Sequence, residues 1–266
     1  VRGWAFPWRN AVTLLLPDFH GNPTERAYRD VFTGQQVPLT VNANGQPNPR
    51  GPGTTSWGVK NYVEGAWYMG VLPLLLAAVG GAAVLRRRDR PAAAPEPTPA
   101  ISAGRFFVAL ALVSVAFIFG TPLYALLYYG LPFIDQLHTP FRWVFPLALA
   151  VAGLAGIGGD AATARRGGDA ATARRGGGPG RFSPRRVASL LGALALAGGG
   201  LTLLGLLLSR LAYGRIAGLV ERVFLGLAGA ADAFPSAAAF YSYQFWNVLA
   251  FGVLLTLAGG ALLLAR

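Results

Sequence analysis

The chain has 266 residues, 53% of them hydrophobic and only 13% charged, where a soluble domain carries roughly 25% charge. It contains no cysteine, which excludes disulfides, thiol catalysis and thiolate metal sites. Its formal net charge is +12, but the basic residues gather beside apolar runs, a pattern of membrane topology and anionic-lipid contact rather than of nucleic-acid binding.

The chain opens at Val1 with neither a Met nor the charged and apolar regions of a signal peptide, and reads as an internal piece of a longer protein or a processed product. Residues 1–65 are polar and rich in turns, with PDFHGNPT at 17–24 and NANGQPNPRGPG at 42–53. Asn, Gly and Pro in such clusters supply the backbone angles of tight loops. This region reads as an extracytoplasmic loop with short strands. Residues 11–16 are apolar but too few to span; they end a strand or form the tail of a preceding span.

Residues 66–85 carry no charge, and a helix of about 20 residues crosses a hydrocarbon core of roughly 30 Å. Trp67 and Tyr68 sit at its start and Arg86, Arg87, Arg88 and Arg90 close it, as interfacial aromatics and a cytoplasmic flank do. Residues 86–105 form a cytoplasmic linker whose Pro/Ala stretch 91–100 is expected to stay extended. A second span runs over 106–120. Residues 121–142 are aromatic and apolar, yet they hold three prolines if Pro122 is counted, with Asp135, His138 and Arg142. A continuous span of that content would leave backbone groups unpaired in lipid, so a re-entrant or interfacial segment at the outer face fits better.

A third span covers 143–158. Beyond it GDAATARRG at 159–167 is repeated without change at 168–176, a tandem duplication in a flexible basic loop that runs over 159–186. Residues 187–208 form a fourth span, whose small residues favour close helix contact. Residues 209–245 mix apolar and charged side chains, as an amphipathic helix on the outer surface does. They end in an aromatic belt of Tyr241, Tyr243, Phe245 and Trp246, and 246–265 is the fifth span.

The two inner loops then hold 12 of the 23 basic residues and the two later outer loops hold only Arg142, Arg210, Arg215 and Arg222. Long segments cross a membrane largely regardless of charge, so the six in the N-terminal segment weigh little. The expected fold is an all-α polytopic membrane protein with about five transmembrane helices, its N-terminal region outside and its C-terminus inside.

The succession LLPDFHGNPT (15–24), NYVEGAWYMGVLPLLLA (61–77) and FGTPLYALLYYGLPFIDQLHTPFRW (119–143), running into LALAVAGLAGIG (147–158), resembles the YfhO family of bacterial membrane proteins over roughly residues 10–160. That family is placed with the GT-C type of glycosyltransferase. The resemblance implies a bacterial cytoplasmic membrane protein that takes sugar from a polyprenyl-phosphate carrier and adds it to a cell-envelope acceptor. In GT-C enzymes the catalytic acid usually lies in the first outer loop, a portion that would precede Val1, so the resemblance assigns no catalytic residue here. The alternative is a non-catalytic accessory or scaffold subunit held among other membrane subunits. A transporter comes last, because it would want paired broken helices in two related halves.

Three groups of residues bear on chemistry. Asp18 and His20, with Asn22 in the same turn, are suited to a divalent cation, Mg or Mn; an Asx turn with an exposed His is the plainer reading. Asn61, Tyr62 and Glu64 precede the first span. Glu64 is placed either to act as a base or to cap the helix start, and Asn61 and Tyr62 either to contact sugar or to shape the entry turn. Asp135, His138 and Arg142 are ionisable groups at membrane depth, and Arg142 suits a carrier phosphate or an interfacial anchor beside Trp143. No P-loop, HExxH, GxSxG or cysteine ligand set occurs, which leaves ATPase, zinc-protease and serine-hydrolase chemistry without support.

Overall fold

The computed structural model describes residues 5–47, 53–58, 62–86, 99–130, 132, 140–163 and 183–265. Within them the chain is mostly helical. Its helices are α1 (Tyr62–Gly65), α2 (Val71–Arg86), α3 (Pro99–Ile118), α4 (Pro122–Gly130), α5 (Val144–Thr163), α6 (Pro184–Leu211), α7 (Tyr213–Gly226), α8 (Ala230–Ala233) and α9 (Ala237–Leu264). Short 3-10 helices cover Trp8–Leu14 and Pro140–Trp143, and the strands β1 (Ala27–Arg29) and β2 (Gln36–Pro38) pair antiparallel with Tyr28 opposite Val37. Among the described residues three helical stretches are long and apolar enough to cross a membrane, Pro140–Thr163, α6 and α9; a fourth is added if α3 and α4 count as one broken span. This is the architecture of a multi-pass membrane protein.

Several boundaries differ from the sequence reading. Helix α2 begins at Val71, five residues later than expected. Gly70 takes a left-handed φ of 85°, which an L side chain resists, and turns the chain just before the helix. Pro73 then falls in the first turn, where its missing N–H costs no intrahelical bond. At the other side of the linker, α3 starts at Pro99 inside the stretch expected to be extended. Proline at a first helical position is favoured for the same reason. A break at Gly120, which has φ 60°, bends α4 away from α3 by 88°. Helix α5 continues through the first five residues of the duplicated motif, where the Thr163 hydroxyl donates to the Gly159 carbonyl at 2.8 Å. Helix α9 begins at Ala237, well before the expected fifth span.

The chain divides into two compact units. The first, the bundle unit, contains α2 to α5, the N-terminal part of α6 and the C-terminal end of α9. There α5 packs on both α2 and α3. Side chains as small as hydrogen allow the closest approach: a Cβ on Gly80 would strike the Leu154 carbonyl, and one on Gly158 would strike the Leu76 carbonyl. Lipid supplies no hydrophobic drive between helices, so such backbone-to-backbone contact is what holds them. Helices α6 and α9 meet antiparallel in the same manner, Gly192 against Leu262 and Gly259 against Leu196.

The second, the loop unit, combines Arg9–Tyr68 with Gly199–Val253. Its apolar core gathers Leu39, Trp57, Phe224, Ala230, Ala233, Phe234, Phe240 and Tyr243, with Phe19 and Tyr28 packed against them. Residues far apart in sequence thus form one core, made of rings from the N-terminal loops and rings from α7 and α9.

Candidate functional site

The loop that carries Asp18 and His20 is fixed from both sides. Thr13 closes the preceding 3-10 helix by donating to the Asn10 carbonyl at 2.7 Å. The Gly21 N–H then turns back to the Asp18 carbonyl at 2.8 Å, with Gly21 at φ 78° and a Cβ there excluded by the Thr55 carbonyl. Residues 53–58 run beside this loop. The Trp57 N–H donates to the His20 carbonyl at 2.8 Å, and the Thr55 hydroxyl accepts from the Asn22 N–H and donates to the Asn22 carbonyl, both at 2.9 Å. Asn22 Oδ1 accepts from the Thr24 N–H and hydroxyl at 3.1 and 2.8 Å, the Asx turn that its sequence favours.

Against this loop stands Tyr62 of α1. Its hydroxyl donates to Asp18 Oδ1 at 2.8 Å and accepts from Asn22 Nδ2 at 3.5 Å. Burial, and then the Asp18 carboxylate that takes its proton in a hydrogen bond, push the Tyr62 hydroxyl up to about 12. It therefore stays a donor at any physiological pH. Tyr62 and His20 line one small cleft of about 40 Å³ together with Asn10, Thr13, Ser56 and Tyr68, room for on the order of three water molecules.

His20 meets Trp57 edge-on at 4.5 Å between ring centroids and Phe19 at 5.2 Å. Both ring nitrogens are shielded from solvent and make no hydrogen bond, and the buried Asn10 Oδ1 is in the same position. Burial holds the His20 imidazole below its ordinary 6.5. The Arg9 main chain opposes that without reaching hydrogen-bond geometry, and the Arg9 charge reinforces it. His20 is thus a neutral ring in an aromatic setting, rather than the exposed neighbour of a turn.

The sequence reading missed the residues that hold this loop from the far side of the chain. Gln244 Nε2 donates to the Phe19 carbonyl at 2.7 Å and Asn247 Nδ2 to the Asp18 carbonyl at 3.2 Å. Tyr243 donates to Glu25 Oε2 at 3.0 Å, Ser242 to Asp30 Oδ1 at 3.0 Å, and Trp246 Nε1 to the Arg29 carbonyl at 2.9 Å. The expected aromatic belt is in part a docking surface: Tyr243 is buried, with its hydroxyl spent on Glu25. The available signal was the run of Ser242, Gln244 and Asn247, polar groups that an apolar span does not need.

Of the residues proposed from sequence, the structure brings together Asp18, His20 and Tyr62. Asn61, Asp135 and His138 lie outside the described residues, as does the side chain of Glu64. Arg142 is exposed in the short 3-10 helix before α5 and belongs to the bundle unit. Among the described residues no three His, Asp or Glu side chains converge as metal ligands would, and the Asp18 carboxylate is engaged by Tyr62. The arrangement offers hydroxyl and amide groups for hydrogen bonding, with aromatic faces around them. No family model, curated protein or solved structure matches the chain.

Proposed function

We propose that the chain is a five-span protein of a bacterial cytoplasmic membrane, its N-terminal region outside and its C-terminus inside, and that it is a YfhO-like part of a GT-C type glycosyltransferase. The substrate would be a sugar on a polyprenyl-phosphate carrier and the acceptor a cell-envelope polymer. The span count is supported by parity. Residues 9–68 are hydrogen-bonded to the stretch 199–253 through Glu25 and Tyr243, Asp30 and Ser242, and Asp18 and Asn247. Two stretches bonded together lie on one side of a membrane, so the chain crosses an even number of times between them. Helices α5 and α6 supply two crossings; α2 and α3 then cross together or not at all. With both, and α9 as the last, the count is five.

Helix α2 has 16 residues, about 24 Å of helix, and a span that short is accommodated by local thinning of the bilayer. Basic side chains follow it, at Arg86 to Arg88 and Arg90, and the basic segment 165–186 follows α5. Both flanks fall on the inner side of this topology.

The observation that supports a sugar site is that Tyr62 donates to Asp18 and lines one cleft of the loop unit with His20. Neutral donors and acceptors among aromatic rings are the groups that hold a hydroxylated ligand. The test is transfer of labelled sugar from a polyprenyl-phosphate donor by the full chain in nanodiscs, with Asp18→Asn and Tyr62→Phe as variants. Transfer that falls at least tenfold in both variants, with α-helical content unchanged, supports the reading; no transfer from any donor in a panel of carrier-linked sugars overturns it.

A second reading, the non-catalytic accessory subunit, is favoured by a different observation. Asp18 already accepts a hydrogen bond from Tyr62, and both His20 ring nitrogens are shielded from solvent. Co-purification of the native chain in stoichiometric complex with another membrane protein, and activity only in that complex, would select it.

A further inference from the structure

Helix α7 divides its apolar surface between two partners, one inside the protein and one outside it. At about 100° per residue, Tyr213, Ala217, Val220 and Phe224 fall within an arc of about 60°. This arc is docked. Phe224 is 2% exposed within the core of the loop unit and packs at a tilt against Phe240 at 5.5 Å, while Tyr213 packs edge-on against Phe32 at 4.9 Å. The adjoining arc of about 60° holds Ile216, Leu219 and Val223. It is largely uncovered: Leu219 is 62% exposed and Val223 50%. Next around the helix come Arg215 and Arg222, both exposed, and then a mixed flank of Gly218, Leu225 and Glu221, where Leu225 stands alone as an exposed apolar side chain.

The occupant of that free arc follows from what continues it and what borders it. Helix α7 starts two residues after α6, and the end of α6 presents Leu204, Leu207, Leu208 and Leu211 outward, each more than half exposed. A helix of membrane-spanning length exposes such leucines to acyl chains, and the free arc of α7 follows them directly in the chain. Arginines at the border of an apolar arc snorkel, with stems along the acyl region and guanidinium groups at the phosphate level. We infer that α7 lies flat in the membrane interface as a phospholipid-binding helix, Leu219 and Val223 sunk among acyl chains and Arg215 and Arg222 gripping the phosphates of anionic lipids. The inference rests on membrane insertion alone and stands whether or not the chain transfers sugar.

The absence of cysteine makes the test direct. Single cysteines at Leu219, Val223 and Gly218 are spin-labelled in the full chain in nanodiscs of phosphatidylcholine with phosphatidylglycerol. Gly218 has open space around it and serves as the aqueous comparison. Labels at 219 and 223 are expected to be reached by oxygen and shielded from a polar nickel chelate, with the opposite ranking at 218. Equal access of the chelate to all three sites, or shielding at 219 and 223 that survives in detergent only because a second protein chain covers them, overturns the lipid assignment. In the second arm, the preference for spin-labelled phosphatidylglycerol over phosphatidylcholine is expected to drop several-fold in Arg215→Gln/Arg222→Gln and to be retained in Arg215→Lys/Arg222→Lys. An unchanged preference in the glutamine variant overturns the role of the two arginines.

Discussion

The Tyr243 hydroxyl, on a helix of membrane-spanning length, donates a 3.0 Å hydrogen bond to the carboxylate of Glu25, 218 positions earlier in the chain. Thr55 closes around the same pair, its hydroxyl 3.5 Å from the tyrosine oxygen and 3.4 Å from the glutamate. The polar contact sits at the edge of the aromatic core and joins the N-terminal loops to α9.

Removing that hydroxyl tests how much the contact contributes. Tyr243→Phe keeps the ring in the core and deletes only the donor, a loss of about 1–2 kcal/mol for a partly buried bond to a charged group. Amide exchange in residues 20–25 and 53–58 is expected to quicken by roughly five- to thirtyfold, with little change in α2 and α5. Glu25→Gln, which can still accept, should show a smaller effect in the same peptides.

The amide pair Gln244 and Asn247 holds the Asp18–His20 loop by its carbonyls. Their replacement by leucine takes from the Phe19 carbonyl its side-chain donor, at about 1–3 kcal/mol where water cannot replace it, and leaves the Asp18 carbonyl with the Gly21 N–H. Increased protease cleavage within 17–24, at unchanged helical content, is the expected outcome of Gln244→Leu/Asn247→Leu.

Helix contact in the bundle unit is more sensitive to added volume than to lost polarity. A methyl at Gly80 or Gly158 meets a main-chain carbonyl that cannot move without shifting its helix. Gly80→Ala and Gly158→Ala should each destabilise by about 1–3 kcal/mol, read as a lower melting temperature in detergent micelles. Gly156→Ala, where nothing lies in the way, is expected to leave melting unchanged or slightly raised.

The buried imidazole gives the loop unit a pH dependence of known sign. Because burial lowers the folded pKa of His20 below its ordinary 6.5, the unfolded chain binds the proton more readily. Stability from the neutral ring is complete above about 6.5 and is lost as pH falls through the lower folded value. Protection of the amides around 17–22, with the slower intrinsic exchange at acid pH divided out, should therefore fall on going from pH 7.5 to 5. His20→Phe, which keeps the aromatic contacts with Trp57 and Phe19, should flatten that profile; a profile as steep as wild type would assign the effect to another group.

Composition and the spacing of charge were enough to read a helical, multi-pass membrane chain, because lipid allows so few solutions for the backbone. The apolar stretches that became α5, α6 and α9 were legible for that reason. Helix starts were not: Gly70 and Pro99 act through local angles and hydrogen bonding at one residue, which an average over a window hides. Asp18, His20 and Tyr62 were visible as chemistry-bearing types, but nothing in their spacing, 44 positions between Asp18 and Tyr62, says that one hydrogen bond joins them. That the polar end of α9 is bonded to loops more than 200 residues earlier was decided only by the tertiary structure. Hydrophobicity is a property that each residue carries into any context, whereas a hydrogen-bond partner exists only once the chain has brought the two groups within about 3 Å.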